Sequence, residues 1–153
     1  MASFRILRDF YEQKPTRFIV VDDSEEILQI WKRVLSREEE CICLLTTDPF
    51  LALRDMEIHG ADILITDLMM PCLSGFELIQ KAKGICPEIQ TFLTTGSPSH
   101  FEETENLDEM WEVLRKPYMD IQNVQAFAHE LATHHPLNRS HCKLKGHIYF
   151  WDL

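Results

Sequence analysis

The sequence of 153 residues is long enough for one domain with its own core, and 45% of its residues are hydrophobic. It has no run of 18 apolar residues and no apolar N-terminal segment, so we predict a cytoplasmic protein without a membrane contact. The net charge is −10, and residues 18–132 carry 22 Asp/Glu against 8 Lys/Arg, which argues against direct nucleic-acid binding. Five cysteines without a CxxC pair are typical of reduced thiols rather than of a disulfide framework.

The chain begins with a short segment of helical character. Phe4, Leu7 and Tyr11 follow the spacing of one helix face, and Pro15 ends the segment. We predict an amphipathic helix here, which either packs on its own domain or presents an apolar face to a partner. This helix belongs to an N-terminal extension, residues 1–16.

Strand-like and helix-like segments alternate from there on. Apolar and β-branched runs predict five strands, at residues 18–21, 41–45, 62–66, 89–94 and 110–114. One helix is predicted after each of the first three strands. The predicted N-caps of these helices are Ser24, Asp48 and Ser74, and the second and third helices are predicted to end at Gly60 and Gly84.

The predicted buried faces follow from helical spacing. They are Ile27, Ile30, Trp31, Val34 and Leu35 in the first helix, Phe50, Leu53 and Met56 in the second, Phe76, Ile79 and Ala82 in the third, and Ile121, Val124, Phe127, Ala128 and Leu131 in the last. The acidic segment 99–109 has few apolar residues, so any helix in it should be short or poorly packed.

This alternation predicts an α/β fold, a three-layer sandwich with a five-stranded parallel sheet and right-handed crossovers. We assign residues 17–135 to this domain and residues 136–153 to a C-terminal tail. The tail ends in an apolar run, residues 148–151 (IYFW), which should dock on this domain, on a second copy or on a partner. Its histidines and Cys142 match no zinc-binding pattern.

Charged and polar residues stand at the C-terminal ends of the predicted strands. Asp22 and Asp23 follow the first strand, Asp67 the third, Thr95 the fourth and Lys116 the fifth. In a parallel sheet all these ends share one edge, which is where open α/β sheets place their ligand sites. Asp67 taken by itself could equally cap a turn or the next helix.

The combination of these groups points to phosphoryl transfer. Clustered carboxylates repel one another, and Mg²⁺ accepts carboxylate, carbonyl and water oxygens, so it is the expected cofactor. Asp67 would then be the nucleophile, while Lys116 and the Thr95 hydroxyl would stabilise phosphoryl oxygens. The product would be an acyl phosphate, whose added charge suits a switch.

Four motifs resemble those of the receiver domains of two-component response regulators, of the single-domain kind similar to chemotaxis regulators. They are FIVVDD at 18–23, LITDLMMPCLSGFELI at 64–79, TFLTTG at 91–96 and LRKPY at 114–118, and the resemblance covers residues 17–134. It implies a flavodoxin-like sheet of order 2-1-3-4-5, with short extensions at both ends.

The resemblance also implies roles for the site residues. Asp67 resembles the family's phosphoacceptor, Thr95 its switch hydroxyl and Lys116 its lysine. In this family the peptide bond after that lysine tends to be cis, which here would be the bond between Lys116 and Pro117. Asp22 and Asp23, with Asp67 and the main-chain carbonyl of Met69, correspond to the Mg²⁺ ligands.

From this resemblance we expect a stand-alone phosphoprotein of two-component (phosphorelay) signal transduction that is not an enzyme. Its expected partners are a histidine kinase or histidine phosphotransfer protein and a downstream protein target, with the terminal extensions as candidate homodimer contacts. Val113 stands where the family has its aromatic switch residue, so an interaction scaffold that works without phosphorylation is the alternative. Met69, two residues after Asp67, is expected to slow loss of the phosphoryl group.

Overall fold

The computed structural model describes residues 15–39, 41–96, 112–115 and 121–133. In chain order they form nine elements: β1 (Thr16–Val21), α1 (Glu25–Leu35), β2 (Cys41–Thr46), α2 (Pro49–His59), β3 (Ile63–Asp67), α3 (Gly75–Ile85), β4 (Gln90–Thr95), β5 (Glu112–Arg115) and α4 (Ile121–Thr133). The strands make one parallel sheet of order β2-β1-β3-β4-β5, which confirms the predicted α/β, flavodoxin-like fold. Every predicted strand overlaps an observed one, with ends that differ by one or two residues.

The central strand β1 supplies both halves of the core. Its side chains alternate between the two sheet faces, so Phe18 and Val20 pack with α1 and α4, whereas Ile19 and Val21 pack with α2 and α3. All four side chains are buried. A sheet covered on both faces needs apolar residues at consecutive positions, which is why the strands read as unbroken hydrophobic runs.

The three predicted helix starts are confirmed. The side chains of Ser24, Asp48 and Ser74 each accept a hydrogen bond from a backbone N–H in the first turn of α1, α2 and α3. Ser74 and Glu77 form a reciprocal capping box, in which each side chain accepts from the other residue's backbone N–H, at 3.2 and 2.9 Å.

The predicted buried face of α2 is partly wrong. Met56 is buried and Leu53 half-buried, but Phe50 is 55% exposed and the side chain of Ala52 is buried instead. Helix α2 carries large apolar residues on its outer face too, including Leu51 and Ile58. Periodicity could not choose between two apolar faces, and the sheet is contacted by the face with the small residue.

The predicted end of α3 at Gly84 is also wrong. The helix continues to Ile85, and the N–H of Cys86 still donates to a carbonyl of the last turn. Gly84 has no positive φ, whereas Gly60, which ends α2 as predicted, has a φ of 71° that glycine adopts more readily than other residues.

Helix α4 packs against α1 across one sheet face. Phe127 meets Phe92 and Trp31 edge-on, with ring centroids 5.2 and 6.5 Å apart, and its neighbours Val124, Ala128 and Leu131 are buried as predicted. At the end of the helix the Thr16 hydroxyl donates to the Ala132 carbonyl at 3.2 Å. This contact fixes the C-terminal end of α4 beside the start of β1.

Several predictions lie outside the described residues. These are the N-terminal helix, the acidic segment 99–109, the Lys116-Pro117 peptide and the tail. Within the ranges that the structure does describe, none of the helices has the length and apolarity that a bilayer crossing requires.

Candidate functional site

Three carboxylates meet where β1 and β3 end. Val21 pairs with Thr66 in the sheet register, so the residues that follow them, Asp22 and Asp67, lie side by side. Oxygens of Asp22, Asp23 and Asp67 all lie within 4.8 Å of one another. Within the described part of the chain, this is the one group of three or more potential metal ligands.

Backbone hydrogen bonds hold Asp22 in place. Its N–H donates to the Thr46 carbonyl of β2 at 3.3 Å, and its carboxylate accepts from the Ser24 N–H at 2.9 Å. The side chain is only 1% exposed, while the next residue, Asp23, is exposed. The pair therefore presents one buried and one solvated carboxylate to the same point.

Asp67 is held by the loop that follows it. The N–H of Leu68 donates to the Thr94 carbonyl of β4, and the N–H of Gly75 donates back to the Leu68 carbonyl, both at 2.9 Å. These bonds fold residues 68–74 back over the end of β3. The Asp67 side chain is only 7% exposed. The position of Asp67 therefore depends on β3, on β4 and on the start of α3.

Gly75 is a positioning residue that our sequence analysis did not single out. A Cβ at this position would lie 2.4 Å from the Asp67 carbonyl oxygen and 2.8 Å from a methyl group of Leu93. Only a residue without a side chain lets α3 begin this close to β3. The signal in the sequence is a glycine directly after the N-cap Ser74, where helix propensity would favour almost any other residue.

The cluster is of a kind that favours a bound cation. Carboxylates this close repel one another, Asp22 and Asp67 are both buried, and a cation among them would offset that repulsion. Mg²⁺ with oxygen ligands at about 2.1 Å places those oxygens roughly 3 to 4.2 Å apart. Side-chain shifts of less than about 1 Å would close the observed cluster around such an ion, so the donor set fits Mg²⁺ in type and in size.

The remaining predicted site residues extend along the same edge. Thr95 is the last residue of β4, is 2% exposed, and pairs in register with Arg115 of β5. Lys116 follows Arg115 in the chain and lies outside the described residues. The Met69 side chain is 60% exposed beside the cluster, in the loop after Asp67. The structure thus brings together the three aspartates and puts Thr95 on their edge.

The cysteines of β2 are not part of this chemistry. Although Cys43 is exposed at the surface, partial desolvation of its sulfur raises the pKa of the thiol; partial desolvation, with the nearby Cys43 and Glu38, also raises the pKa of Cys41. Both thiols are therefore protonated at neutral pH and are poor nucleophiles and metal ligands. The four cysteines in the described residues form no disulfide with one another.

Comparison with known proteins gives one family. The sequence profile described as "Response regulator receiver domain" matches residues 18–128. A signal receiver domain of an HD domain-containing protein from Pseudomonas fluorescens Pf-5 is similar in structure, with 25% identity, a TM-score of 0.65, and coverage of 77% of this chain and 94% of that one. A response regulator receiver domain protein from Clostridium thermocellum gives 27% identity, a TM-score of 0.63 and coverage of 76% and 94%.

Curated relatives are longer proteins. A protein-glutamate methylesterase/protein-glutamine glutaminase of Rhodopseudomonas palustris is 26% identical over 106 residues, which is 69% of this chain and 28% of that protein. The chain therefore spans less than a third of the length of this relative, and the match covers only its receiver part.

Proposed function

Because the chain belongs to the response regulator receiver domain family, we propose that it is a phosphorylation-controlled switch whose phosphoacceptor is Asp67. The observation that carries this proposal is the grouping of three carboxylates within 4.8 Å at the end of the sheet, one of them exposed to solvent. An aspartate that only stabilises a turn needs no other carboxylates beside it, whereas a phosphoacceptor with a Mg²⁺ site needs further carboxylates as ligands of the ion.

The proposed roles follow from position. Asp67 offers a carboxylate oxygen to the phosphorus, and the P–O bond that forms replaces the bond to the donor's leaving group. Bound Mg²⁺ would neutralise charge on acceptor and phosphoryl oxygens. Asp22, Asp23 and the main-chain carbonyl of Met69 are the proposed further ligands of the ion.

The phosphoryl group itself would be held from the side of β4 and β5. We assign to Thr95 a hydroxyl that donates to a phosphoryl oxygen, and to Lys116 an ammonium group that neutralises another. The register of Thr95 with Arg115 supports this assignment, because it puts the residue after Arg115 at the same edge of the sheet.

We propose further that the chain acts on its own, in the cytoplasm, without an enzymatic activity beyond transfer to and loss from Asp67. A histidine kinase or histidine phosphotransfer protein would donate the phosphoryl group. The output would be a change in protein contacts with a downstream target, with self-association through residues 1–16 or 136–153 as one form of it. The scaffold without phosphorylation remains the second candidate, because Val113 replaces the family's aromatic residue.

Intact-mass analysis tests the acceptor. The protein is incubated with acetyl phosphate or phosphoramidate, with Mg²⁺ or with EDTA, in three forms: unchanged, Asp67→Asn and Asp48→Asn. Asp48 is the matched control, because Asn is as good an N-cap as Asp and should leave α2 intact. Size-exclusion chromatography of the same samples reports any change in assembly.

We expect one added phosphate that requires Mg²⁺, appears in the unchanged chain and in Asp48→Asn, and is absent from Asp67→Asn. A phosphate added to Asp67→Asn would show that another residue is the acceptor. No added phosphate in any sample, together with no binding of beryllofluoride and Mg²⁺, would favour the scaffold.

A further inference from the structure

Among the residues that the structure describes, the edge strand β2 carries none of the charges or prolines that normally protect an exposed sheet edge. It ends the sheet beside β1, and its sequence CICLLT contains no charge and no proline. Ile42 is 47% exposed, and Cys43 is exposed as well. An uncharged apolar edge of six residues is an open template for another strand. Something is therefore expected to cover it.

A groove runs beside this edge on the side of α1. It has a volume of about 420 Å³, and its lining combines apolar side chains with charged and polar ones: Leu28, Cys43, Leu44 and Leu45 with Glu25, Gln29 and Lys32. A strand added to β2 would direct every second side chain toward this groove. The volume suits one or two large side chains and is small for a folded partner surface.

We propose that the tail segment 148–151 (IYFW) adds as a strand to the free edge of β2. Its residues are β-branched or aromatic, which are the types that strands favour. In an extended segment Ile148 and Phe150 point to one face and Tyr149 and Trp151 to the other, so one pair enters the groove. Main-chain hydrogen bonds to β2 would provide most of the affinity, and the two side chains in the groove would provide the specificity.

The tail can reach this edge. Helix α4 ends at Thr133, next to the start of β1, through the bond from Thr16 to Ala132. Thr16 pairs with Cys41, the first residue of β2, so a new edge strand would begin only two strand spacings away, or about 10 Å. The 14 residues between Thr133 and residue 148 span up to roughly 45 Å.

Charge favours the tail over a second copy as the occupant. Lys143 and Lys145 precede the apolar run, whereas exposed acidic residues flank β2 at both ends, Glu39 before it and Asp48 after it. Two copies joined edge to edge would bring two acidic bodies together instead. The proposal does not depend on phosphorylation of Asp67.

Hydrogen–deuterium exchange of the full chain tests it. The exchange of the β2 amides, residues 41–46, is measured by mass spectrometry at several protein concentrations in the unchanged chain, in Phe150→Asp and in Leu137→Asp. Leu137 is the matched control, because it adds the same charge to the tail outside the apolar run. Circular dichroism of each variant verifies the fold, and analytical ultracentrifugation gives the mass.

We expect exchange of β2 to be at least about tenfold faster in Phe150→Asp than in the unchanged chain and in Leu137→Asp, with a monomer throughout. Equal exchange in all three forms would overturn the proposal. Protection that rises with concentration alongside a dimer mass would assign the edge to a second copy. A further variant, Leu7→Asp, is measured in the same way, and protection that is lost in it but kept in Phe150→Asp would assign the edge to the N-terminal extension.

Discussion

Gly75→Ala is the sharpest test of how the loop after β3 positions Asp67. The added methyl group would lie 2.4 Å from the Asp67 carbonyl oxygen, 2.8 Å from a Leu93 methyl group and 3.0 Å from the Cα of Leu68. Two of these atoms belong to the backbone, so a rotamer change cannot relieve the contact. Either α3 must move away from the sheet by roughly 1 Å, or the end of β3 must yield.

The expected cost follows from two opposing effects. Overpacking of a tight site costs typically about 1 to 3 kcal/mol, while alanine gains up to about 1 kcal/mol over glycine in a helix. We expect the free energy of unfolding to fall by about 1 to 2 kcal/mol. Because the displaced atoms belong to Asp67 and its neighbour, transfer of phosphate to the variant should also be slower.

Gly84→Ala makes the same chemical change in the same helix and gives the control. No atom lies within 4 Å of the new methyl group, and the residue is exposed. Helix propensity alone then predicts a gain of about 0.5 to 1 kcal/mol. Urea unfolding, monitored by circular dichroism, measures both variants. If Gly75→Ala unfolded at the same urea concentration as the unchanged chain or a higher one, the close approach of α3 to β3 would be refuted.

Three further changes test other parts of the molecule. The hydrogen bonds from Ser74 lower the pKa of Glu77, so the stabilising effect of the Glu77 carboxylate is complete above the ordinary glutamate pKa and is lost as the pH falls through the lowered pKa. Acid should therefore lower the free energy of unfolding more in the unchanged chain than in Glu77→Gln. Equal losses in urea unfolding would contradict this. Met69→Asn should shorten the lifetime of the phosphorylated form severalfold, measured by loss of the phosphate mass, whereas an unchanged lifetime would argue against a role of Met69 in slowing hydrolysis. Phe127→Ala should lower the free energy of unfolding by about 3 to 5 kcal/mol, because the ring is buried between two other aromatic rings. Phe50→Ala should change it by no more than about 0.5 kcal/mol, because Phe50 is exposed. Similar losses for both variants would contradict the assigned burial.

The sequence was sufficient for the sheet because the strands β1, β3 and β4 are covered on both faces. The unbroken apolar runs of β1 and β3 have one interpretation, and the alternation with helices fixes a parallel sheet. Helix starts were equally readable, since Ser24, Asp48 and Ser74 carry the local hydrogen bonds that begin a helix.

The errors arose where a local pattern had two solutions. Helix α2 is apolar on both sides, so only tertiary packing decides that Ala52 faces the sheet and Phe50 faces outward. A glycine near a helix end favours a stop, but whether the helix ends at that glycine depends on the path of the chain that follows. Gly60 ends α2 with a positive φ, whereas α3 continues past Gly84 to Ile85.

The grouping of the three aspartates was predictable for a different reason, because the topology of a parallel sheet brings the ends of β1 and β3 together. Asp22 and Asp67 are 45 positions apart, yet the pairing of β1 with β3 makes them neighbours. The tightness of the approach at Gly75 could not be read in the same way, because it depends on the angle at which α3 leaves the loop. Lys116 lies outside the described residues, so its place beside Asp67 stays a prediction.

The two ends of the sheet differ in the way that a functional edge requires. At the start of the strands charges are paired: the Arg17 guanidinium binds Asp55, and its backbone N–H donates to Asp62 at 2.8 Å. At the other end three carboxylates lie within 4.8 Å of one another, and α3 begins with a glycine that no larger residue could replace without a clash. Glycine is an unfavourable choice for a helix, and such local conflicts are expected at functional sites. A divalent cation at this edge would offset the repulsion among the carboxylates, and a phosphoryl group on Asp67 would add negative charge that the same cation could balance.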